Sequence, residues 1–348
     1  MKPVFRLFAV AVCAAAICAS SSSCSKMPMP QPETPAPAPE AVTPEQKIKN
    51  NISAMLLDMI NTSRGSVGVE IWDAKGDSLF YEFGGKQVHR PASTLKLFTS
   101  TVALKNLGTD YAIKTKVFRN GSEIWVKGGF DPNFNDNDLK TLAGYVVDSG
   151  IKEITGLYGD VSLKDLNEKG YGWCWDDYGM DSPLLSPLLL NGEGGFMEEF
   201  ARVLEGRGLT VSCEPETGTG TVPSGASLLG ETSRTLVSLI PWCLKWSDNQ
   251  YAEAFLYQMN KDGLYLSAGQ SAINRIDEFM NKILGFKGGY MIVDGSGLSF
   301  YNLVTAEQEV MLLRYVYRFP KFYDVIRPAL PVAGQDGTLG WRLASNLL

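Results

Sequence analysis

Pro91-Ala92-Ser93-Thr94-Leu95-Lys96-Leu97-Phe98, continued by Thr99-Ser100-Thr101-Val102-Ala103-Leu104, carries more of the reading of this chain than any other stretch. Pro91 suits a helix start, the apolar residues after it suit a buried helix, and Gly108 is placed to cap its end. A helix is therefore expected over 91–107. Ser93 and Lys96 then share one helix face. A serine hydroxyl is a poor nucleophile until a nearby base takes its proton. A lysine serves as that base when burial disfavours its charged form. Ser93 also falls in the first turn, where unpaired backbone N–H groups can face a developing oxyanion. Two other Ser-x-x-Lys matches, Ser23 with Lys26 and Ser149 with Lys152, lack this setting; the second crosses Gly150.

Ser247-Asp248-Asn249 is the only Ser-x-Asn triplet. A second serine can relay a proton between a lysine and a leaving group, and an asparagine amide can hold a peptide carbonyl and face the lysine. Ser and Asp are also common helix caps, and 249–259 has helical character. The catalytic role and the cap are compatible, and both stay open.

Around these motifs, 46–63 reads as an amphipathic helix with Ile48, Ile52, Leu56, Met59 and Ile60 on one side. Strands are expected at 67–72 and 79–83, turning at Lys75-Gly76-Asp77. Between 111 and 230 lie short strand candidates, many glycines and the cluster Tyr171-Gly172-Trp173-Cys174-Trp175. Helices follow at 235–245 and 249–259, a strand at 290–293, and a last helix at 306–318. The pattern is an α/β core interrupted by a strand-rich insert.

Taken in order, PASTLKLFTSTVAL (91–104), SDNQYAEAF (247–255), DGSGLS (294–299) and LPVAGQDGTL (330–339) resemble the D-alanyl-D-alanine carboxypeptidase/endopeptidase family of the penicillin-binding protein 4 type, peptidase family S13. GGFDP (128–132) and GYGWCWDD (170–177) are smaller echoes of it. The resemblance runs from about Lys47 onward. It implies a serine β-lactamase/penicillin-binding transpeptidase-like α/β fold, with catalytic parts at 46–110 and 231–348 and an inserted domain at 111–230. It implies acyl transfer: Ser93 attacks a D-Ala-D-Ala bond or a D-Ala cross-link, Lys96 acts as base, Ser247 and Asn249 assist, and water hydrolyses the ester. Expected partners are peptidoglycan peptides and β-lactam antibiotics, the latter leaving Ser93 slowly. No metal or organic cofactor is implied.

Two departures from the family's pattern and one match bear on the site. Its Lys-Thr-Gly triplet, expected after Asp336-Gly337-Thr338-Leu339, is not found in these 348 residues; Glu216-Thr217-Gly218 is out of order. The expectation is a catalytic domain incomplete at its C-terminal side, an unfinished sequence before a truncated, inactive product. Phe300 stands where the family has arginine, and an aromatic ring there cannot pair with a stem-peptide carboxylate. Asp131 matches an aspartate of the inserted domain and is a candidate for the amino group of the stem diamino acid, or simply a turn-forming Asp-Pro. The Asp294 turn is expected to shape the site edge, its serine being structural. Trp173, Trp175 and Tyr178 are expected in the core rather than stacked on sugars.

The N-terminus adds an address. Lys2 and Arg6 precede an apolar run and Ser20-Ser21-Ser22-Ser23, a secretory signal over 1–23 too short to span a membrane. Cys24 follows directly, as at a bacterial lipoprotein cleavage site; a lipid anchor on Cys24 is expected, with an unmodified cysteine as the alternative. Residues 24–45 then form a Pro-rich semi-rigid spacer. An exported, periplasmic, membrane-anchored lipoprotein follows. Net charge is −6, giving no support for nucleic-acid binding. The one histidine, His89, argues against a His-based metal site or triad. Cys174, Cys213 and Cys243 allow at most one disulfide and read mostly as buried hydrophobes. Two rivals remain: a serine β-lactamase or esterase on the same fold, and a wall-binding lipoprotein without catalysis.

Overall fold

The structure, a computed structural model, describes residues 42–342 except 64, 165, 167–168, 180–181 and 261–267. The leader, Cys24 and the spacer up to 41 lie outside the described residues, as do 343–348. The chain groups as Met1–Ile48 and Lys49–Leu348; of the first unit 42–48 are described, and the candidate catalytic and substrate-binding residues lie in the second.

Helix α1 (Pro44–Ser63) matches expectation, with Ile52, Leu56 and Ile60 half-buried along one side. Strands β1 (Val69–Asp73) and β2 (Ser78–Phe83) form an antiparallel hairpin. β3 (Val88–His89) leads to a 3-10 turn, Ala92–Thr94, and then α2 (Leu95–Leu107). Next come β4 (Ala112–Asn120), β5 (Glu123–Lys127), α3 (Asp136–Asp148), β6 (Glu153–Ile154) and β7 (Gly156–Asp160). α4 (Phe196–Gly206), β8 (Thr210–Val211), β9 (Pro215–Thr217) and β10 (Ser227–Thr235) follow. The chain then returns to helices α5 (Leu236–Lys245), α6 (Asn249–Gln258) and α7 (Ala268–Lys282), strand β11 (Val304–Thr305), and α8 (Ala306–Arg318) and α9 (Pro320–Ala329).

The segment between the two motifs builds its own sheet, ordered β10-β4-β5-β7-β9. β10, β4 and β5 pair antiparallel, while β5, β7 and β9 run parallel. In β4 Ile113, Thr115 and Val117 are buried while Lys114 faces out, the period-two alternation of a half-buried strand. The sheet is not alone: α3 and α4 pack on it, burying Leu142, Val146, Phe200 and Leu204 against Val117, Ile124 and Val126. The short polar stretches around these helices hid them; α3 starts with a capping box between Asn135 and Asp138.

A second hydrophobic core joins α2, α5, α6, α7 and α9 around Phe98, Val102, Leu239, Phe255, Ile276 and Phe322. Between Leu95 and Leu104 only Leu97 escapes full burial, so α2 is a central helix with no solvent stripe. That position takes Lys96 out of water.

Several expectations need correction. α8 is not the last helix: Pro320, favoured at a first helical position, starts α9. The strand expected at 290–293 reduces to one bridge between Met291 and Leu303. All three described cysteines are free, but Cys174 is exposed and Cys213 half-buried; only Cys243 behaves as a core hydrophobe. Trp173 is buried, whereas Trp175 and Tyr178 are exposed. Among the described residues no helix is long and apolar enough to cross a membrane.

Candidate active site

Ser93 lies in the 3-10 turn just before α2, not in an α-helical turn, and Ala92 before it adopts φ 46°. This left-handed residue bends the chain so that Ser93 and Lys96 still meet: Lys96 Nζ lies 2.9 Å from Ser93 Oγ. Two further acceptors hold the amine, Asn249 Oδ1 at 2.7 Å and the Ser296 carbonyl at 2.8 Å. Ser247 and Asn249 share with Ser93 a cleft of about 410 Å³, completed by Arg90, Ala92, Gly297 and the 298–300 segment.

The Ser247-Asp248-Asn249 triplet divides its two possible roles between its members. Asp248 is the cap, accepting N–H from Gln250 and Tyr251. Ser247, held at φ 60°, and Asn249 are left to face the cleft. Gln250 donates to the Leu184 and Gly192 carbonyls, tying the start of α6 to the insert.

Lys96 is 1% exposed, and burial depresses its pKa, against the opposing pull of Cys243, Glu253, Asp294 and Asp248. A neutral amine in this position donates its two hydrogens to Asn249 Oδ1 and the Ser296 carbonyl. Its lone pair then faces Ser93 Oγ–H. The same three contacts satisfy all three hydrogens of the ammonium form, so one geometry serves both protonation states.

The Asp294-Gly295-Ser296-Gly297 turn is the third wall. Asp294 accepts N–H from Gly297 and Ser299, the Asn302 amide and the Trp173 indole. Ser296 is structural, as expected: its hydroxyl accepts from the Leu298 N–H. Its carbonyl is what meets Lys96. Trp173 thereby links the inserted segment to the turn.

Sequence reasoning did not find Glu253. It sits one helical turn below Asn249, fully buried, with Oε1 accepting N–H from Gly295 and Ser296 at 3.0 and 2.9 Å. The available signal was the one acid of α6, at i+4 from Asn249. Burial pushes Glu253 up to about 8 and also raises its neighbour Asp294. The folded chain therefore holds an extra proton between the ordinary glutamate value of 4.5 and about 8, and stability falls as pH rises through that window. Glu253→Gln is expected to remove this dependence. Denaturant unfolding of both chains at about pH 5 and about pH 8.5 should show the variant gaining a few kcal/mol relative to the parent at the higher pH; a constant difference would refute it.

Asp131 is not brought to the cleft. It is buried, bonded to Arg234 Nε at 2.9 Å and to the Asn133 N–H, while Arg234 also pairs with Asp138. Burial raises its pKa in spite of the arginine. Through Arg234 it joins β10 to the start of α3. Among the described residues Cys174, Asp176 and Asp177 are close enough to share a metal ion. Asp177, however, already accepts from the Cys174 and Phe300 N–H groups and from Ser299 Oγ.

A model of the D-Ala-D-Ala carboxypeptidase 3 (S13) family matches residues 48–192 and 185–347. A D-alanyl-D-alanine carboxypeptidase of Actinomadura sp. (strain R39) is 24% identical over 399 residues, covering 86% of this chain and 73% of that protein. The D-alanyl-D-alanine carboxypeptidase DacB of Haemophilus influenzae is 21% identical over 368 residues, covering 80% and 76%. The crystal structure of penicillin-binding protein 4 from Haemophilus influenzae matches with a TM-score of 0.69 at 18% identity, covering 79% of this chain and 80% of that one. The same protein complexed with a novel β-lactam gives 0.63 at 19% identity, covering 79% of each chain. The likeness to these structures is one of fold, and it bears out the expected penicillin-binding α/β architecture.

Proposed function

The chain belongs to the D-Ala-D-Ala carboxypeptidase 3 (S13) family, and on that premise we propose that it is a serine peptidase of peptidoglycan stem peptides and cross-links, with Ser93 as nucleophile. The observation that carries this reading is the Lys96 amine, buried and shared between Ser93 Oγ, Asn249 Oδ1 and the Ser296 carbonyl. Neutral Lys96 takes the Ser93 proton as Oγ attacks the carbonyl carbon of the penultimate D-alanine. Ser247, across the cleft, relays that proton from Lys96 to the departing amine as the peptide bond breaks, which leaves the lysine neutral again. Asn249 orients the lysine and the substrate amide. Water then attacks the ester, its proton returns to Ser93 Oγ, and the shortened peptide leaves as an acid. A β-lactam enters the same sequence and stops at the ester.

The inserted segment at 111–230 between catalytic parts at 46–110 and 231–348, export through the 1–23 leader, and a lipid on Cys24 that places the domain at a membrane surface in the periplasm complete the proposal.

The test is to incubate the purified chain with a penicillin and with a peptide ending in D-Ala-D-Ala. A penicilloyl adduct mapped by mass spectrometry to the peptide containing Ser93, with release of D-alanine, is the expected result. Rapid penicillin turnover without a lasting adduct would point to a β-lactamase. No adduct and no released alanine would leave a wall-binding protein without catalysis.

A further inference from the structure

Among the described residues, Arg90 is the only charged side chain lining the cleft that holds Ser93, Ser247 and Asn249. It is exposed, and its guanidinium carbon stands 4.7 Å from the centre of the Phe300 ring, itself 49% exposed on the same cleft. No carboxylate of the described residues pairs with Arg90, although Asp176 and Asp177 lie on the neighbouring segment. Asp177 is occupied by Ser299 and by the Cys174 and Phe300 backbones. A cation resting on an aromatic face keeps its in-plane N–H groups free while losing side-chain freedom. This is a preorganised donor fork at the mouth of a nucleophile's cleft, matched in shape to a carboxylate.

We propose that Arg90, braced by Phe300, is a specificity residue that binds a carboxylate of the incoming peptide. The ring at position 300 cannot itself pair with an anion, but it sets the arginine that does. The anion is either the terminal carboxylate of the peptide or a side-chain carboxylate on the residue preceding D-Ala-D-Ala; the chemistry of recognition is the same. The proposal deepens the peptidase reading and rests on it for the identity of the ligand.

Equilibrium binding to a Ser93→Ala chain separates the two, since it needs no turnover, while the penicilloyl adduct of the unsubstituted chain reports on the peptidase reading alone. Three synthetic peptides are compared: the free diacid, its terminal amide and its side-chain amide. One of the amides is expected to bind about tenfold more weakly than the diacid, the size of one charge-assisted hydrogen bond; which one identifies the carboxylate. Adding Arg90→Gln should erase that ratio, Arg90→Glu should invert it, and Phe300→Ala should reduce it. A ratio untouched by Arg90→Gln, equal affinities for all three peptides, or no binding of any would each overturn the proposal.

Discussion

Replacing Lys96 by arginine is expected to slow acylation of Ser93 by a fluorescent penicillin about a thousandfold, the loss of one well-placed general base. The charge is retained, so the variant asks whether Lys96 acts as a cation or as a base. A guanidinium does not release its proton at any working pH, and its planar fork does not suit three acceptors arranged around one nitrogen. In the parent chain the rate should rise with pH, because the neutral amine is the working form. Burial places the inflection below the ordinary lysine value of 10.5. In Lys96→Arg the residual rate should lose that inflection. Stopped-time labelling across a pH series, with circular dichroism to verify folding, measures both. A variant that labelled at the parent rate would make Lys96 an electrostatic support and leave Ser93 without its base.

Gly297→Ala is expected to abolish labelling and to destabilise the chain by about 3 kcal/mol or more. Gly297 has φ +79°, where a side chain is strained, and a Cβ there would stand 1.8 Å from the Ala92 carbonyl oxygen and 3.1 Å from Leu95 Cβ. Neither backbone can yield alone. Ala92 already occupies a left-handed conformation to present Ser93, and the 294–297 turn is fixed by Asp294 and by Glu253. Gly108→Ala is the control. Its φ is +94° and ψ 159° but nothing lies within 4 Å of the added carbon, so the cost should stay at the backbone strain alone, about 1–3 kcal/mol, with labelling intact. Thermal unfolding and labelling of the two variants side by side separate strain from collision. Similar behaviour of both would show that the turn against Ala92 is loosely packed.

The residues nearest the chemistry were readable because their geometry is local. Ser93 and Lys96 meet across one helical turn whether the turn is 3-10 or α, and Ser247 and Asn249 flank a capping aspartate whose preference for that place is intrinsic. α2 was recognisable as buried from its continuous apolar character, and α8 was found as a helix over 306–318. Three helices were not resolved this way, although α3 carries a capping box. α3 and α4 owe their place to packing on the inserted sheet, and α9 follows Pro320 where a breaker is as natural as a start.

Other features depend on contacts between distant segments, and no local pattern specifies which partner a polar group will find. Nothing local in the sequence marked Arg234 as the partner of Asp131; the fold of β10 brings the two together. The third acceptor of Lys96 is a backbone carbonyl, to which any residue type would contribute equally. Glu253 and Arg90 gained their neighbours from the fold, the 295–296 backbone and the Phe300 ring. Spacing along the chain thus placed Lys96 beside Ser93, because short-range geometry is set by the helix itself. The surroundings that depress the lysine and leave one arginine facing the cleft arose only when burial brought together groups far apart in the chain.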